Sequence, residues 1–299
     1  MTLSMTDLSG LFTAIVTPFT PDRTLDKAAL TKLVEFQVAS GASGIVPIGG
    51  TGEYTALSRQ ERAEMVAVCV EAAGGKPVIP GVLSTGFEDA VEAGKDFKKA
   101  GAAGLMPVTP YYATGPQEGM RAYFKNYRDA VDLPLVLYQI PRRTNVELKA
   151  ETVQALAEDG VAIGIKYSNY DMPEFLKTIK FAGDKMSVLS GEEPLFATHV
   201  ALGARGGVLA TATIYPERWI KVFEIARQGK LAEAVAASRE LDMLIDVVFR
   251  ETNPGPLKKY MEIVGMPVGS VRLPLTDPSE ETVALLKETA QLLSAAEAA

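Results

Sequence analysis

Residues 134–167 read PLVLYQIPRRTNVELKAETVQALAEDGVAIGIKY, and the pattern in this stretch decides the fold. It begins and ends with a short apolar run, at residues 134–140 and 161–167. Each run is rich in Val, Ile or Leu, which is typical of a strand covered on both faces. The segment between them carries apolar residues at helical spacing. The stretch therefore predicts a strand, a helix and a second strand.

The same unit repeats along most of the chain. Apolar runs start 20–33 residues apart, with amphipathic segments such as residues 26–40 between them. This alternation indicates βαβ units with right-handed crossovers. The eight runs lie at residues 11–19, 44–50, 77–83, 104–110, 134–140, 161–167, 186–192 and 206–212. Eight such units predict an α/β protein with a closed (β/α)8 TIM barrel.

An open, doubly wound parallel sheet is the alternative fold. That fold usually carries a Gly-rich phosphate-binding turn after its first strand. Here the first run leads instead into TPFTPD at residues 17–22, which favours the closed barrel. We assign residues 1–229 to the barrel. Residues 230–299 form a predicted C-terminal helical domain, with helices at about 231–249, 256–264 and 280–296.

Composition excludes several classes of function. The chain has 299 residues, 47% of them apolar, and a net charge of −7, which indicates a globular protein that does not bind nucleic acid. One cysteine, Cys69, and one histidine, His199, argue against a disulfide and a His-based metal site, and both are predicted to be structural. No apolar run reaches the ~18 residues of a membrane span, and no secretory signal is visible. We expect a soluble, cytoplasmic protein without a metal or cofactor.

Functional groups of such a barrel lie at the carboxyl ends of its strands. The sixth run ends in GIKY, which places Lys166 there. Removing an ammonium from water disfavours its charged form, and a neutral amine is what a Schiff-base nucleophile requires. Position alone leaves a second interpretation open, in which Lys166 pairs with Glu192 or Glu193.

Two other strand ends add candidates for the same rim. Tyr138 lies near the carboxyl end of the fifth run and is either a proton donor or a barrel-filling aromatic. Arg143 follows it and is either a carboxylate clamp or a solvated surface residue. After the second run, GGTGE at residues 49–53 offers backbone N–H groups and the Thr51 hydroxyl to a small anion. Together with Lys166 these groups predict a site for a small carboxylate.

These segments resemble the dihydrodipicolinate synthase / N-acetylneuraminate lyase superfamily of class I, pyruvate-dependent lyases, and are most similar to its synthases. The similarity covers nearly the whole chain. Its motifs are GGTGE (49–53), VTPYY (108–112), YQIPRRT (138–144), GIKYS (164–168) and NPGPLK (253–258).

The resemblance implies roles for particular residues. Lys166 would form an imine with pyruvate or another 2-oxo acid, and Tyr138 would shuttle protons. Tyr112 would enter the site of a neighbouring subunit, since such proteins are commonly homotetramers. Arg143 matches the synthase arginine that binds the carboxylate of aspartate semialdehyde. The implied substrate-binding set is Gly50, Thr51, Arg143, Gly191 and Val208.

The chain departs from the synthase pattern at two positions. Gly50 stands where the synthases typically have a threonine that relays protons between two tyrosines, and Asn145 replaces a glycine. A GGTGE loop is also similar to that of keto-deoxy-sugar-acid dehydratases. Three hypotheses follow: a synthase condensing pyruvate with aspartate semialdehyde, an aldolase or dehydratase of a 2-oxo-3-deoxy sugar acid, and a non-catalytic sensor of a small oxo acid.

A further expectation concerns feedback control. In lysine-inhibited synthases the inhibitor binds near the segment that matches residues 54–62. Arg59 and Arg62 add two cations there, which disfavours a cationic effector. The sequence therefore predicts weak or no inhibition by L-lysine.

Overall fold

A computed structural model describes residues 3–298, with side chains up to residue 295. It contains all eight predicted strands, each shorter than the apolar run that predicted it. The strands pair in parallel, and every strand residue is buried. The strands are β1 Gly10–Ala14, β2 Gly44–Val46, β3 Gly81–Val82, β4 Met106–Pro107, β5 Val136–Gln139, β6 Gly164–Tyr167, β7 Ser187–Ser190 and β8 Gly206–Leu209.

The strands close on themselves. Six of them pair in the order β2-β1-β8-β7-β6-β5, and β3 pairs with β4. Isolated parallel bridges join the two groups, from Ile45 to Val78, from Leu105 to Leu135 and from Val108 to Tyr138. The predicted TIM barrel is confirmed, and the open-sheet alternative is wrong.

Helices surround the barrel as the sequence pattern predicts. Ser58 caps one of them: its hydroxyl accepts the Glu61 N–H, and the Glu61 carboxylate accepts the Ser58 N–H. The helices of the βα units are α1 Lys27–Ala39, α2 Arg59–Ala72, α3 Phe87–Lys99, α4 Gln117–Val131, α5 Pro141–Thr144, α6 Ala150–Glu158, α7 Met172–Ala182, α8 Phe196–Ala201 and α9 Pro216–Ala226. None of the helices in residues 3–298 is long and apolar enough to cross a membrane.

Four further helices form the C-terminal extension: α10 Leu231–Arg239, α11 Asp242–Val248, α12 Gly255–Ile263 and α13 Glu280–Ala298. The single helix predicted over residues 231–249 is wrong, because the chain turns at Glu240 and Leu241. The Leu241 N–H donates to the Ser238 carbonyl at 2.9 Å, which tightens the turn and redirects α11. Leu241, Leu244 and Val248 are fully buried as a result. The proposed domain boundary at 229/230 falls between α9 and α10 and stays a prediction.

Two buried clusters stabilise this architecture. The larger lies between the barrel and its helices and includes residues of the C-terminal extension, such as Leu244 and Leu257. The smaller fills the barrel interior with inward-facing side chains from alternate strand positions, among them Phe12, Val46 and Tyr138. This interior packing holds the strand ends rigidly at the rim where the site lies.

Candidate active site

A cavity of about 710 Å³ opens at the carboxyl ends of the strands. Its wall includes residues that end or follow five strands, β2, β5, β6, β7 and β8, and residues of the C-terminal extension. The structure brings together there seven of the eight predicted site residues: Lys166, Tyr138, Gly50, Thr51, Arg143, Gly191 and Val208. The exception is Tyr112.

Lys166 lies on β6 directly beside Tyr138 of β5, because the two residues are register partners in the parallel pair. The Lys166 side chain is buried, and its Nζ lies 4.5 Å from the centroid of the Tyr138 ring. Glu192 and Glu193, the alternative partners, are engaged elsewhere: Glu192 pairs with Arg142, and Glu193 accepts the N–H groups of Ala210 and Thr211. No carboxylate among the described side chains, residues 3–295, pairs with Lys166, and its side chain lines the cavity.

Tyr138 presents its hydroxyl to the same space. The residue is 5% exposed, and its hydroxyl has no hydrogen-bond partner within the part of the chain that the structure describes. Its ring packs in the barrel interior, which fixes the direction of the oxygen. A phenol held beside an amine in this way can donate or accept a proton there.

Gly191 and Val208 shape the floor of the cavity. A Cβ at Gly191 would lie 2.0 Å from Ser168 Oγ and 2.8 Å from Lys166 Cε, so only glycine leaves room for the lysine side chain. Val208, on β8, is buried and supplies an apolar surface. The main role of Gly191 is therefore to leave room for the Lys166 side chain.

The loop after β2 forms the anion-binding side. The backbone N–H groups of Gly50 and Thr51 donate to no protein acceptor among residues 3–298, and the Thr51 hydroxyl accepts a hydrogen bond from Asn253 Nδ2 at 2.9 Å. Unused N–H groups beside a hydroxyl are the arrangement that binds a carboxylate. The anion site predicted for this loop thus has its donors available.

The C-terminal extension fixes the far end of this loop. Lys258 Nζ is buried and donates to the Glu53 carboxylate at 3.1 Å and to the carbonyls of Thr17 and Ser270. The second Glu53 oxygen accepts the Arg272 N–H at 2.9 Å. Burial lowers the pKa of Lys258, and the Glu53 charge acts against that change. Breaking such a buried pair leaves a charge uncompensated, so the pair locks the loop in one geometry.

Arg142 and Arg143 are neighbours with different surroundings. Arg142 forms an ion pair with Glu192, whereas Arg143 has no carboxylate partner among the described side chains, residues 3–295. The Arg143 Nη1 lies 3.4 Å from the position that a Cβ at Gly50 would take. Arg143 is therefore available to an anionic substrate. Beside Glu192, burial and the carboxylate charge raise the pKa of Tyr170 to about 12, so its hydroxyl stays protonated.

Tyr112 lies outside this cavity. Its side chain is 95% exposed and its φ is +60°, a conformation that costs free energy for a residue with a Cβ. A second cavity of about 230 Å³ adjoins the first and shares Gly50, Tyr138 and Arg143 in its wall. The chain alone therefore does not bring Tyr112 to Lys166.

His199 and Cys69 have the structural surroundings that the sequence predicts. His199 Nδ1 lies 2.9 Å from Ser190 Oγ, and its ring stacks on Phe175. Burial lowers the pKa of His199 to about 4 and raises that of the Cys69 thiol. Neither residue lines the site.

Sequence reasoning missed the part that the C-terminal extension plays in the site. Residues 249–253 follow α11 and line the cavity that holds Lys166, and Asn253 contacts Thr51 directly. The only local signal was the NPGP segment at residues 253–256, which marks a turn but not where that turn lies. The Arg142–Glu192 pair was missed as well, because no local pattern shows which distant side chains come into contact.

A TIM barrel with a buried lysine beside a tyrosine at its rim defines a lyase of the class I aldolase type. Residues 7–293 match the dihydrodipicolinate synthetase family, and the chain belongs to that family. It is 39% identical to the 4-hydroxy-tetrahydrodipicolinate synthase of Sorangium cellulosum, over 98% of each chain.

Solved structures agree with this assignment. One is the chloride-inhibited dihydrodipicolinate synthase of Acinetobacter baumannii complexed with pyruvate, which is 33% identical, with a TM-score of 0.92 over 96% of this chain and 99% of the other. Another is the Cyanidioschyzon merolae enzyme with lysine bound, which is 30% identical, with a TM-score of 0.92 over 96% and 99%.

Proposed function

We propose that the protein is a 4-hydroxy-tetrahydrodipicolinate synthase, which condenses pyruvate with L-aspartate 4-semialdehyde. The observation that carries this proposal is the position of Lys166, whose unpaired amine lies 4.5 Å from the Tyr138 ring in a cavity that also holds Thr51 and Arg143. Curated relatives that this chain matches over nearly their whole length bear the same name.

In this mechanism Lys166 Nζ attacks the C2 carbonyl of pyruvate, and loss of water gives an imine. The Thr51 hydroxyl and the free loop N–H groups bind the pyruvate carboxylate. Tyr138 passes the proton that turns the C2 oxygen into a leaving water. The imine then accepts electrons as a C3 proton leaves, and the resulting enamine attacks the aldehyde carbon. Because the imine is itself the electron sink, the reaction needs no metal or organic cofactor.

Arg143 binds the carboxylate of the aldehyde substrate. We expect Arg143→Ala to lower kcat/KM for aspartate semialdehyde by about 10- to 100-fold, because a hydrogen bond between charged groups is lost. The KM for pyruvate should stay near the wild-type value. Steady-state kinetics with each substrate varied in turn gives both numbers. Arg142→Lys is the matched control, since a lysine there can still pair with the buried Glu192; an equal loss in the two variants would contradict the role of Arg143.

A sugar-acid aldolase or dehydratase is the second candidate, and Gly50 is the observation that favours it. Only Arg143 Nη1 lies within 4 Å of a Cβ placed at Gly50, so the absence of a threonine leaves space in the cavity. Arg142, Glu192 and Tyr170 line the same cavity and offer partners to hydroxyl groups. Assays with pyruvate plus aspartate semialdehyde and with 2-oxo-3-deoxy sugar acids separate the two. A non-catalytic sensor would bind pyruvate but turn over neither set.

We also propose that Tyr112 acts across a subunit interface, in a homotetramer. The exposed ring and the left-handed backbone support this, since such a conformation persists where something else requires it. One solved relative is described as a monomeric variant of dihydrodipicolinate synthase, so assembly differs within the family. A cytoplasmic location stays a prediction from the sequence.

L-lysine is expected to inhibit the enzyme weakly or not at all. The Tyr54 ring is buried, its hydroxyl bonds Ser84 at 2.7 Å, and the Arg62 guanidinium lies 4.2 Å from its centroid. This stacked pair occupies the segment where a lysine effector would bind and repels its ammonium groups. Arg59 contributes less than its charge suggests, because Glu92 and Asp96 pair with it.

A rate assay with L-lysine varied at fixed substrates tests this prediction. D-lysine serves as the control for ionic effects. A submicromolar inhibition constant specific to the L isomer would refute it.

A further inference from the structure

Asn253 joins the C-terminal extension to the anion-binding loop. It follows α11, is 7% exposed, and lines the cavity that holds Lys166. Its Nδ2 lies 2.9 Å from Thr51 Oγ1, although the two residues are 202 positions apart in the sequence. Its Oδ1 is buried and has no hydrogen-bond partner among residues 3–298. A buried polar side chain with one unsatisfied atom needs an explanation.

The chemistry of the two groups fixes the direction of this hydrogen bond. An amide nitrogen only donates, so the Thr51 hydroxyl must accept. The single hydroxyl proton of Thr51 is then left over, and no other protein acceptor for it lies within the part of the chain that the structure describes. That proton is free for a ligand in the cavity.

We infer that Asn253 is a positioning residue, which makes the Thr51 hydroxyl a donor to the carboxylate of the 2-oxo acid substrate. This inference rests on the proposed function and deepens it. If the amide were turned by 180°, Oδ1 would face Thr51 and consume its proton, and the carboxylate would lose a donor. The orientation seen leaves Oδ1 unpaired and keeps the donor available to substrate.

The fold holds Asn253 firmly enough for this role. The preceding helix, α11, is anchored by Leu244 and Val248 in the core. The following helix, α12, carries Lys258, which binds Glu53 at the other end of the same loop. One short segment therefore contacts the loop at both Thr51 and Glu53, so the two contacts move together.

The test compares Asn253→Asp and Asn253→Ala in two backgrounds, wild type and Thr51→Val. The aspartate variant keeps the shape but accepts the Thr51 proton, so the KM for pyruvate should rise about tenfold or more, with a much smaller change in kcat. The alanine variant leaves the Thr51 hydroxyl free to reorient, so the rise should be about threefold. Thr51→Ser serves as a third background: it retains a hydroxyl, so the KM for pyruvate should still respond to both Asn253 substitutions.

In the Thr51→Val background we expect Asn253→Ala not to raise the KM further, because the hydroxyl it acts on is gone. Asn253→Asp should keep there only the part of its effect that comes from repulsion between two carboxylates. An additive effect of Asn253→Ala in that background, or an unchanged KM in Asn253→Asp alone, would overturn the inference. If Asn253→Asp does not fold, the alanine variant in the two backgrounds gives the same comparison. Borohydride trapping of pyruvate by the wild type, run alongside, reports on the proposed function separately from the role of Asn253.

Discussion

Replacing Lys166 with methionine is expected to lower kcat/KM by about 10⁴-fold or more, because the imine cannot form without this amine. Methionine has a similar length and fills the space beside Gly191, so the barrel interior should stay packed. The loop N–H groups, Thr51 and Arg143 remain in place and still bind the substrates. The loss should therefore fall on kcat more than on KM, and steady-state kinetics measures it.

Lys166→Arg is the matched control for charge. It keeps a cation in the cavity but offers no nucleophilic amine at neutral pH. We expect the same loss as in the methionine variant. Thermal unfolding of both variants should show folded proteins. Activity within about 100-fold of wild type in either variant would contradict the assignment of Lys166 as the nucleophile.

Tyr138→Phe is expected to lower kcat by about 10²- to 10⁴-fold, the range for loss of a proton-transfer group. The change removes one oxygen and leaves the ring, which packs in the barrel interior and lies 4.5 Å from Lys166 Nζ. Binding of pyruvate should therefore survive while imine formation slows. Single-turnover reduction of the pyruvate imine measures that step directly.

Tyr167→Phe is the control for this prediction. Tyr167 follows Lys166 on β6, but its hydroxyl donates to the Asp171 carbonyl at 2.9 Å and lies outside the cavity wall. We expect a small loss of stability from the broken hydrogen bond and a kcat within about twofold of wild type. Equal losses in the two variants would show that Tyr138 acts through packing alone.

The sequence predicted well what depends on local pattern and on barrel symmetry. Buried parallel strands leave compact apolar runs, so the strands around residues 134–140 and 161–167 were recognisable without a structure. Once the barrel is assumed, adjacent strands must place Tyr138 beside Lys166, and β7 must place Gly191 at the same rim. The placement of these residues follows from topology rather than from distant contacts.

What the sequence could not supply depends on contacts between distant segments. The bond from Asn253 to Thr51 and the pair formed by Lys258 and Glu53 each join residues more than 200 positions apart. The turn at Glu240 is set by packing of Leu241 into the core, since the local pattern is helical on both sides. The role proposed for Tyr112 requires a neighbouring subunit, which no property of one chain locates.

The central claim is that Lys166 forms an imine with a 2-oxo acid. Reduction with borohydride in the presence of pyruvate, followed by peptide mass mapping, tests it most directly. We expect a three-carbon adduct on the peptide that contains Lys166 and none on the peptide with Lys258, the other buried lysine among the described side chains. Absence of any adduct, or an adduct confined to another lysine, would contradict the account.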